Sequence, residues 1–146
     1  MIIKNLVNIN ILIIIYMTCF WDGIIKSLKK EDFDYVKFDK SKSPVNLINF
    51  LKKNNIKMIN VLWQNNILRE QEMEEHISWI NEYNINDISN GHLTSICDPF
   101  LLLICELFCV NIKHQYNKYC IMYVNKNKSR KTLIFSSNNG HFVCSR

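Results

Sequence analysis

The sequence contains very little glycine and proline and no alanine. Only 3 Gly and 2 Pro occur in 146 residues, which excludes collagen-like chains and proline-rich or glycine-rich linkers. Apolar residues make up 48% and charged residues 21%, an ordinary globular composition that also excludes a disordered tail. The excess of Ile, Asn and Lys is typical of AT-rich codons, so these residues say little about local structure. A chain of this length is expected to form one domain around one core.

The positive charge is modest and dispersed. The net charge is +5, but the lysines are spread along the chain and do not concentrate on one predicted helix. Proteins that bind nucleic acid usually carry a clustered basic stripe. We therefore interpret the lysines as solvated surface charge and expect no nucleic-acid partner.

The six cysteines form no Cys-x-x-Cys pair, so the usual pattern of a structural zinc site is missing and we expect no metal. Cys105 and Cys109 lie four residues apart on one face of an apolar helical run, where thiols more often fill a core than form disulfides. This placement favours a reducing, cytoplasmic compartment, and a secreted, disulfide-bonded protein is the alternative.

Residues 1–16 form an apolar segment whose role the sequence leaves open. One Lys precedes an Ile-rich run, as in a signal peptide, although no small-x-small cleavage site follows. The run is too short for a transmembrane helix, and we expect no stable membrane insertion. The segment is alternatively a buried first strand, or translation begins at Met17. Residues 17–146 are expected to form a single domain that works as a monomer.

Hydrophobic periodicity predicts helices first and strands afterwards. The predicted helices cover 20–30, a segment opened by Ser43-Pro44, 68–83 and 100–109. The last of these is apolar all round and therefore buried. The charged stretch 31–42 has no helical period and is predicted to be a loop. A short strand is predicted over 56–63, between the second and third of these helices. After the last helix, an antiparallel meander is predicted with strands over 110–115, 119–124, 133–136 and 142–144. This order predicts an α+β fold.

Cys19 and His141 differ from this core pattern. Cys19 lies at the predicted start of the first helix, where orphan backbone N–H groups and the helix dipole favour a thiolate and can bind an oxyanion. His141 follows Gly140 at the start of the last strand. A Cys at a helix start and a distant His are typical of papain-like cysteine proteases, although six Cys and four His make such a pair common by chance.

Three segments resemble the motifs of the OTU (ovarian-tumour) cysteine proteases, and they follow the family's order. CFWDGII, residues 19–25, resembles the box in which the nucleophilic Cys precedes an aromatic residue and an amphipathic helix. GHLTSICDPFLLLICELFCVNI, residues 91–112, resembles the middle motif, where a Gly-containing loop precedes an acidic residue, a buried helix and a strand. NNGHFVCS, residues 138–145, is similar to the terminal His followed by an aromatic residue.

The resemblance implies a papain-like OTU fold, with helices packed on a small, mostly antiparallel sheet. It also implies hydrolysis of the isopeptide bonds that link ubiquitin or a ubiquitin-like modifier to other proteins, which would be the partners of this chain. Carried onto this sequence, Cys19 is the nucleophile and His141 the general base. No metal or organic cofactor is implied. Small divergent OTU-like proteins are frequent in viruses, which would place the activity in a host cytoplasm.

The chain departs from the family pattern at two places. The Asp-Gly that usually precedes the nucleophile is replaced by YMT, residues 16–18, and the position two residues after His141, often Asp or Asn, is Val143. Asn139, or a residue before the nucleophile such as Asn10, is the candidate for orienting the His; otherwise the site is a bare dyad. The alternative function is therefore a catalytically inactive OTU-like module that binds ubiquitin or a host protein.

The other candidate side chains are interpreted as structural or solvated. His92 is expected to be a solvated loop residue, and His76, which lies among glutamates, is expected on an exposed helix face. His114 and Cys120 flank a strand turn and lack further partners for a metal ion. The three tryptophans are expected to anchor the core; they are Trp21, Trp63 and Trp79.

Overall fold

The computed structural model describes residues 19–89, 98–138 and 141–145, and for five of these the description covers the backbone alone: Cys19, Asp87, Ser89, His141 and Ser145. The described helices are α1 (Cys19–Ser27), α2 (Lys30–Tyr35), α3 (Pro44–Lys53), α4 (Glu70–Glu82) and α5 (Asp98–Phe108), and a 3₁₀ helix (Ile85–Ser89) follows α4. The strands are β1 (Val61–Trp63), β2 (Asn66–Ile67), β3 (Asn111–Tyr116), β4 (Tyr119–Asn125), β5 (Thr132–Asn138) and β6 (His141–Ser145).

The strands form one six-stranded sheet in the order β2-β1-β4-β3-β5-β6. Four of the five strand pairings are antiparallel, and the pairing of β3 with β5 is parallel. Burial alternates along β5, with one face covered and the other exposed. The helices contact one another through aromatic rings, for example Trp21 of α1 against Phe100 of α5 at 4.7 Å. The architecture is therefore α+β, as the order of predicted elements indicated.

The prediction of an antiparallel meander is wrong, because β5 pairs with β3 and not with β4. Backbone hydrogen bonds hold the end of the connection between β4 and β5 beside the start of β3. The Arg130 backbone N–H donates to the Cys109 carbonyl at 2.8 Å, and the Asn111 N–H donates to the Lys131 carbonyl at 2.9 Å. Because β5 starts where β3 starts, the two strands run in the same direction.

The prediction of a loop over 31–42 is also wrong, since α2 occupies part of it. Six residues are too few to show a helical period. The helix is fixed at its start by the Lys29 N–H, which donates to Asp32 Oδ2 at 2.7 Å. Phe33 is buried against Phe38 and Phe108. The first helix ends earlier than predicted, at Ser27, and only the end of the predicted strand 56–63 is a strand.

Other predicted elements are confirmed. α3 begins as predicted, with the Asn46 N–H donating to the Ser43 Oγ at 3.2 Å and Pro44 in the first turn. Among the described elements, α5 is the most buried, since every residue from Pro99 to Cys105 is buried. Trp21 is a core residue at 1% exposure, and the other two tryptophans pack against the core while partly buried. None of the described helices has the length and apolar content of a membrane span.

A buried ionic cluster joins α2 to the connection before β5. The side chain of Asp32 is 0% exposed and accepts from Arg130 Nη2 at 2.9 Å and Lys131 Nζ at 2.5 Å, besides the Lys29 N–H. Arg130 also lies 4.5 Å from the ring centroid of Tyr35. Burial raises the pKa of Asp32, but the hydrogen bonds from Lys131, Lys29 and Arg130 outweigh it and hold that pKa below its usual value.

Candidate active site

Cys19 is the first described residue of α1, and the residues before it lie outside the described part of the chain. The next two residues anchor that end of the helix, because Phe20 and Trp21 are 2% and 1% exposed. Their rings contact each other edge to face at 4.9 Å. A cysteine at the start of a helix is close to backbone N–H groups that have no partner within the helix, and these groups stabilise a thiolate. Thr18, which precedes Cys19 in the sequence, lies outside the described residues.

α1 packs directly against β6 through a glycine. A Cβ atom on Gly23 would lie 3.0 Å from the Phe142 ring and 3.7 Å from the Cys144 backbone nitrogen, so only glycine permits this approach without a shift of the neighbours. One turn earlier, the Phe20 ring lies 4.9 Å from the Phe142 ring. The glycine of the CFWDGII segment therefore has a packing role in this contact.

α1 and β6 run in the same direction. Near their starts, Phe20 contacts Phe142; near their ends, Lys26 and Ser27 line the same pocket as Cys144. The starts of both elements therefore lie at one end of the pair, and these starts carry Cys19 and His141. The structure brings the two backbone positions to the same end of the contact.

The remaining geometry of the predicted site lies outside the described part of the chain. His141 opens β6 opposite Asn138 of β5, and its side chain, like that of Cys19, is not among those described. Asn139, the predicted orienting residue, lies outside the described residues, together with Gly140 and His92.

His114 of β3 is a buried histidine that the sequence analysis did not select as a site residue, and it contacts residues of β5 and β6. His114 is 1% exposed, and its Nε2 is 2.5 Å from the Ser137 Oγ. Its ring is 5.3 Å from the ring of Phe142, the residue after His141. The contact between His114 and Ser137 thus links β3 to β5, the strand that pairs with β6. The signal was present in β3, where His114 alternates with the apolar Ile112 on one face.

A second polar cluster lies where β1, β4, α4 and α5 meet. Asp98 accepts a hydrogen bond from the Tyr123 hydroxyl, and burial raises the pKa of Asp98 against the opposing effects of that bond and of His76. His76 is half-buried, with its ring 5.7 Å from Trp63, and burial lowers its pKa. The expectation that His76 lies on an exposed face is therefore wrong, because Trp63 of β1 packs against it.

The other described cysteines differ from one another in exposure. Cys105 is fully buried, and its burial, followed by the negative charge of Glu106, raises the pKa of its thiol well above the usual value, which disfavours the reactive thiolate. Cys109 and Cys144 are half-buried, and Cys120 is exposed. Within the residues that the structure describes, no three His, Cys, Asp or Glu side chains are grouped closely enough to hold a metal ion.

No family model, curated protein or solved structure matches this chain. The resemblance to OTU proteases therefore depends on the three sequence motifs alone.

Proposed function

We propose that this chain is a cysteine hydrolase of papain-like layout, with Cys19 as nucleophile and His141 as general base. The observation that carries the proposal is the contact between α1 and β6, which run in the same direction with their starts at one end. Each start holds one of the two residues. A helix N-terminus can supply N–H donors to a thiolate and to an oxyanion, and a histidine on the neighbouring strand can supply the general base.

Within that class, the proposed substrate is an isopeptide bond between ubiquitin or a ubiquitin-like modifier and an amino group of another protein. This step depends on the three OTU-like segments. In the proposed reaction, His141 takes the Cys19 proton, and the thiolate attacks the carbonyl carbon. The resulting oxyanion is stabilised by backbone N–H groups at the start of α1. The imidazolium then protonates the leaving amine, and a water molecule hydrolyses the thioester with His141 again as base.

The position that often orients the His in this family holds Val143, an apolar residue that is 38% exposed on β6. This observation favours the second candidate function, a catalytically inactive OTU-like module that binds ubiquitin or a host protein. In the active version of the proposal, either Asn139 orients the His or the site is a bare dyad, and a bare dyad depends on the helix terminus for its thiolate.

The direct test is labelling of the full chain with ubiquitin that carries an electrophilic C-terminus. Cys19→Ala is expected to abolish labelling, whereas Cys120→Ala, which removes an exposed thiol elsewhere, is expected to leave it unchanged. Tight binding of ubiquitin without labelling would favour the inactive module. Absence of both binding and labelling, or labelling at Cys144, would contradict the proposal.

Cleavage of a fluorogenic ubiquitin substrate then separates the roles of the other residues. His141→Ala is expected to reduce kcat by ~10²–10⁴-fold, the usual contribution of a general base. Asn139→Ala is expected to cause only a modest loss, and a loss as large as that of His141→Ala would instead make Asn139 an essential orienting group. Circular dichroism of each variant checks that the fold is retained.

A further inference from the structure

A lysine-lined pocket lies at the C-terminal end of α1, at the opposite end of the helix from Cys19. It has a volume of about 410 Å³ and lies between the end of α1 and the first residues of β5. We call it the lysine pocket and define it by six of its lining residues: Lys26, Lys29, Lys131, Thr132, Leu133 and Cys144. Cys19 and Lys26 are separated by about 10 Å along the helix axis, so the pocket is distinct from the proposed active site.

The three lysines come from different parts of the chain. Lys26 is in the last turn of α1, Lys29 lies between α1 and α2, and Lys131 directly precedes β5. Lys131 is held in place, because its Nζ is 2.5 Å from Asp32 Oδ2 and 3.9 Å from Glu31 Oε1. Within the described residues, the ion pairs include neither Lys26 nor Lys29. The pocket therefore combines one fixed ammonium group with two exposed ones.

The charge around the pocket is not balanced. Arg130 and Lys131 are matched by Glu31 and Asp32, through three ion pairs within 4 Å, which leaves the charges of Lys26 and Lys29 in excess. The C-terminal dipole of α1 accounts for Lys26 alone, since Lys29 lies beyond the helix. Bringing like charges together is unfavourable unless an anion offsets their repulsion.

The chemistry of the lining indicates the kind of anion. Ammonium groups are point-charge donors suited to phosphate oxygens. Leu133 and Cys144 supply an apolar floor against which an organic group can pack. We propose that the lysine pocket binds a phosphate-class oxyanion, either inorganic phosphate or a small phosphate monoester, through Lys26, Lys29 and Lys131.

The test is calorimetric titration of the full chain with inorganic phosphate and with glycerol 3-phosphate, at constant ionic strength. The variant Lys26→Gln/Lys29→Gln is expected to weaken binding about tenfold or more, because it removes two charge-assisted contacts. The matched control is Lys126→Gln/Lys128→Gln, which removes the same charge from exposed positions in the connection after β4. The control is expected to bind as the wild type does.

Tighter binding of glycerol 3-phosphate than of phosphate would identify a monoester site, and equal binding would identify a site for the phosphate group alone. Equal losses in the two double variants would overturn the proposal, since only net charge would then matter. Failure of the wild type to bind either probe would overturn it as well. Ubiquitin labelling is a separate readout, so this test and that of the proposed function can fail independently.

Discussion

Asp32, which is buried, and Asp98, which is half-buried, both lie near the start of a helix, yet their pKa values shift in opposite directions. Burial raises the pKa of each. Asp32 accepts from two cationic side chains and a backbone N–H, which together outweigh burial and lower its pKa. The described donor to Asp98 is the neutral Tyr123 hydroxyl, and burial prevails. The comparison shows that cationic partners, not burial alone, decide the direction in which the pKa of a carboxyl group shifts here.

The largest effect is expected for Asp32→Asn. The amide cannot balance Arg130 and Lys131, which are only 23% and 28% exposed, so Arg130 loses its carboxylate partner and Lys131 keeps only the more distant Glu31. We expect the free energy of unfolding to fall by about 3 kcal/mol in urea denaturation. Asp34→Asn is the control on the exposed side of the same helix, with a change of about 0.5 kcal/mol or less. Equal effects of the two substitutions would show that the cluster does not stabilise the fold.

The second prediction concerns the pH dependence of stability. Because the folded-state pKa of Asp32 is lowered, its contribution is present above its unfolded pKa and is lost as the pH falls through the folded value. The difference in stability between wild type and Asp32→Asn should therefore shrink below about pH 4.

Asp98 should show the opposite trend. Its folded-state pKa is raised, so at a pH between the unfolded and folded pKa values the folded protein keeps a proton that the unfolded chain has released. The contribution of Asp98 is present below its unfolded pKa and is lost as the pH rises through the raised value. Urea denaturation between about pH 3 and pH 7 of wild type, Asp32→Asn and Asp98→Asn measures both trends. Parallel curves for the two variants would contradict the assignment.

The same two carboxylates show which features the sequence could predict. Asp98-Pro99 opens a strongly apolar helix, and α5 was predicted because this signal is local. α2 was missed because its stability depends on the pairing of Asp32 with Arg130, 98 residues later in the chain. The parallel pairing of β3 with β5 was missed for the same reason, since strand alternation looks alike in any strand order.

Some residues of the candidate site could likewise be selected from local sequence, and others could not. Cys19 and His141 were selected from local motifs, and the contact that brings their elements together depends on Gly23, which belongs to one of those motifs. His114 was considered only as a metal ligand, because nothing local indicates that Ser137, on a strand 23 residues later, supplies its partner. Local sequence patterns do not indicate which distant residue a polar side chain will contact in the folded chain.

A smaller effect is expected for Tyr123→Phe, which removes the hydroxyl donor to Asp98. Loss of this hydrogen bond to the half-buried carboxyl group should lower the free energy of unfolding by about 1–2 kcal/mol. Tyr119→Phe is the matched control, because Tyr119 begins the same strand and is 71% exposed. If both substitutions have the same small effect, the Tyr123–Asp98 bond does not contribute to stability.

The smallest effect is expected for Asp98→Asn at neutral pH, although the chemical change equals that of Asp32→Asn. The amide oxygen can still accept from the Tyr123 hydroxyl, and the substitution removes a charge that burial disfavours. These two effects offset each other, so the free energy of unfolding should change by less than about 1 kcal/mol. Urea denaturation of both Asn variants in one buffer gives the direct comparison. If Asp98→Asn is as damaging as Asp32→Asn, Asp98 has cationic partners beyond those described, and the contrast between the two sites is wrong.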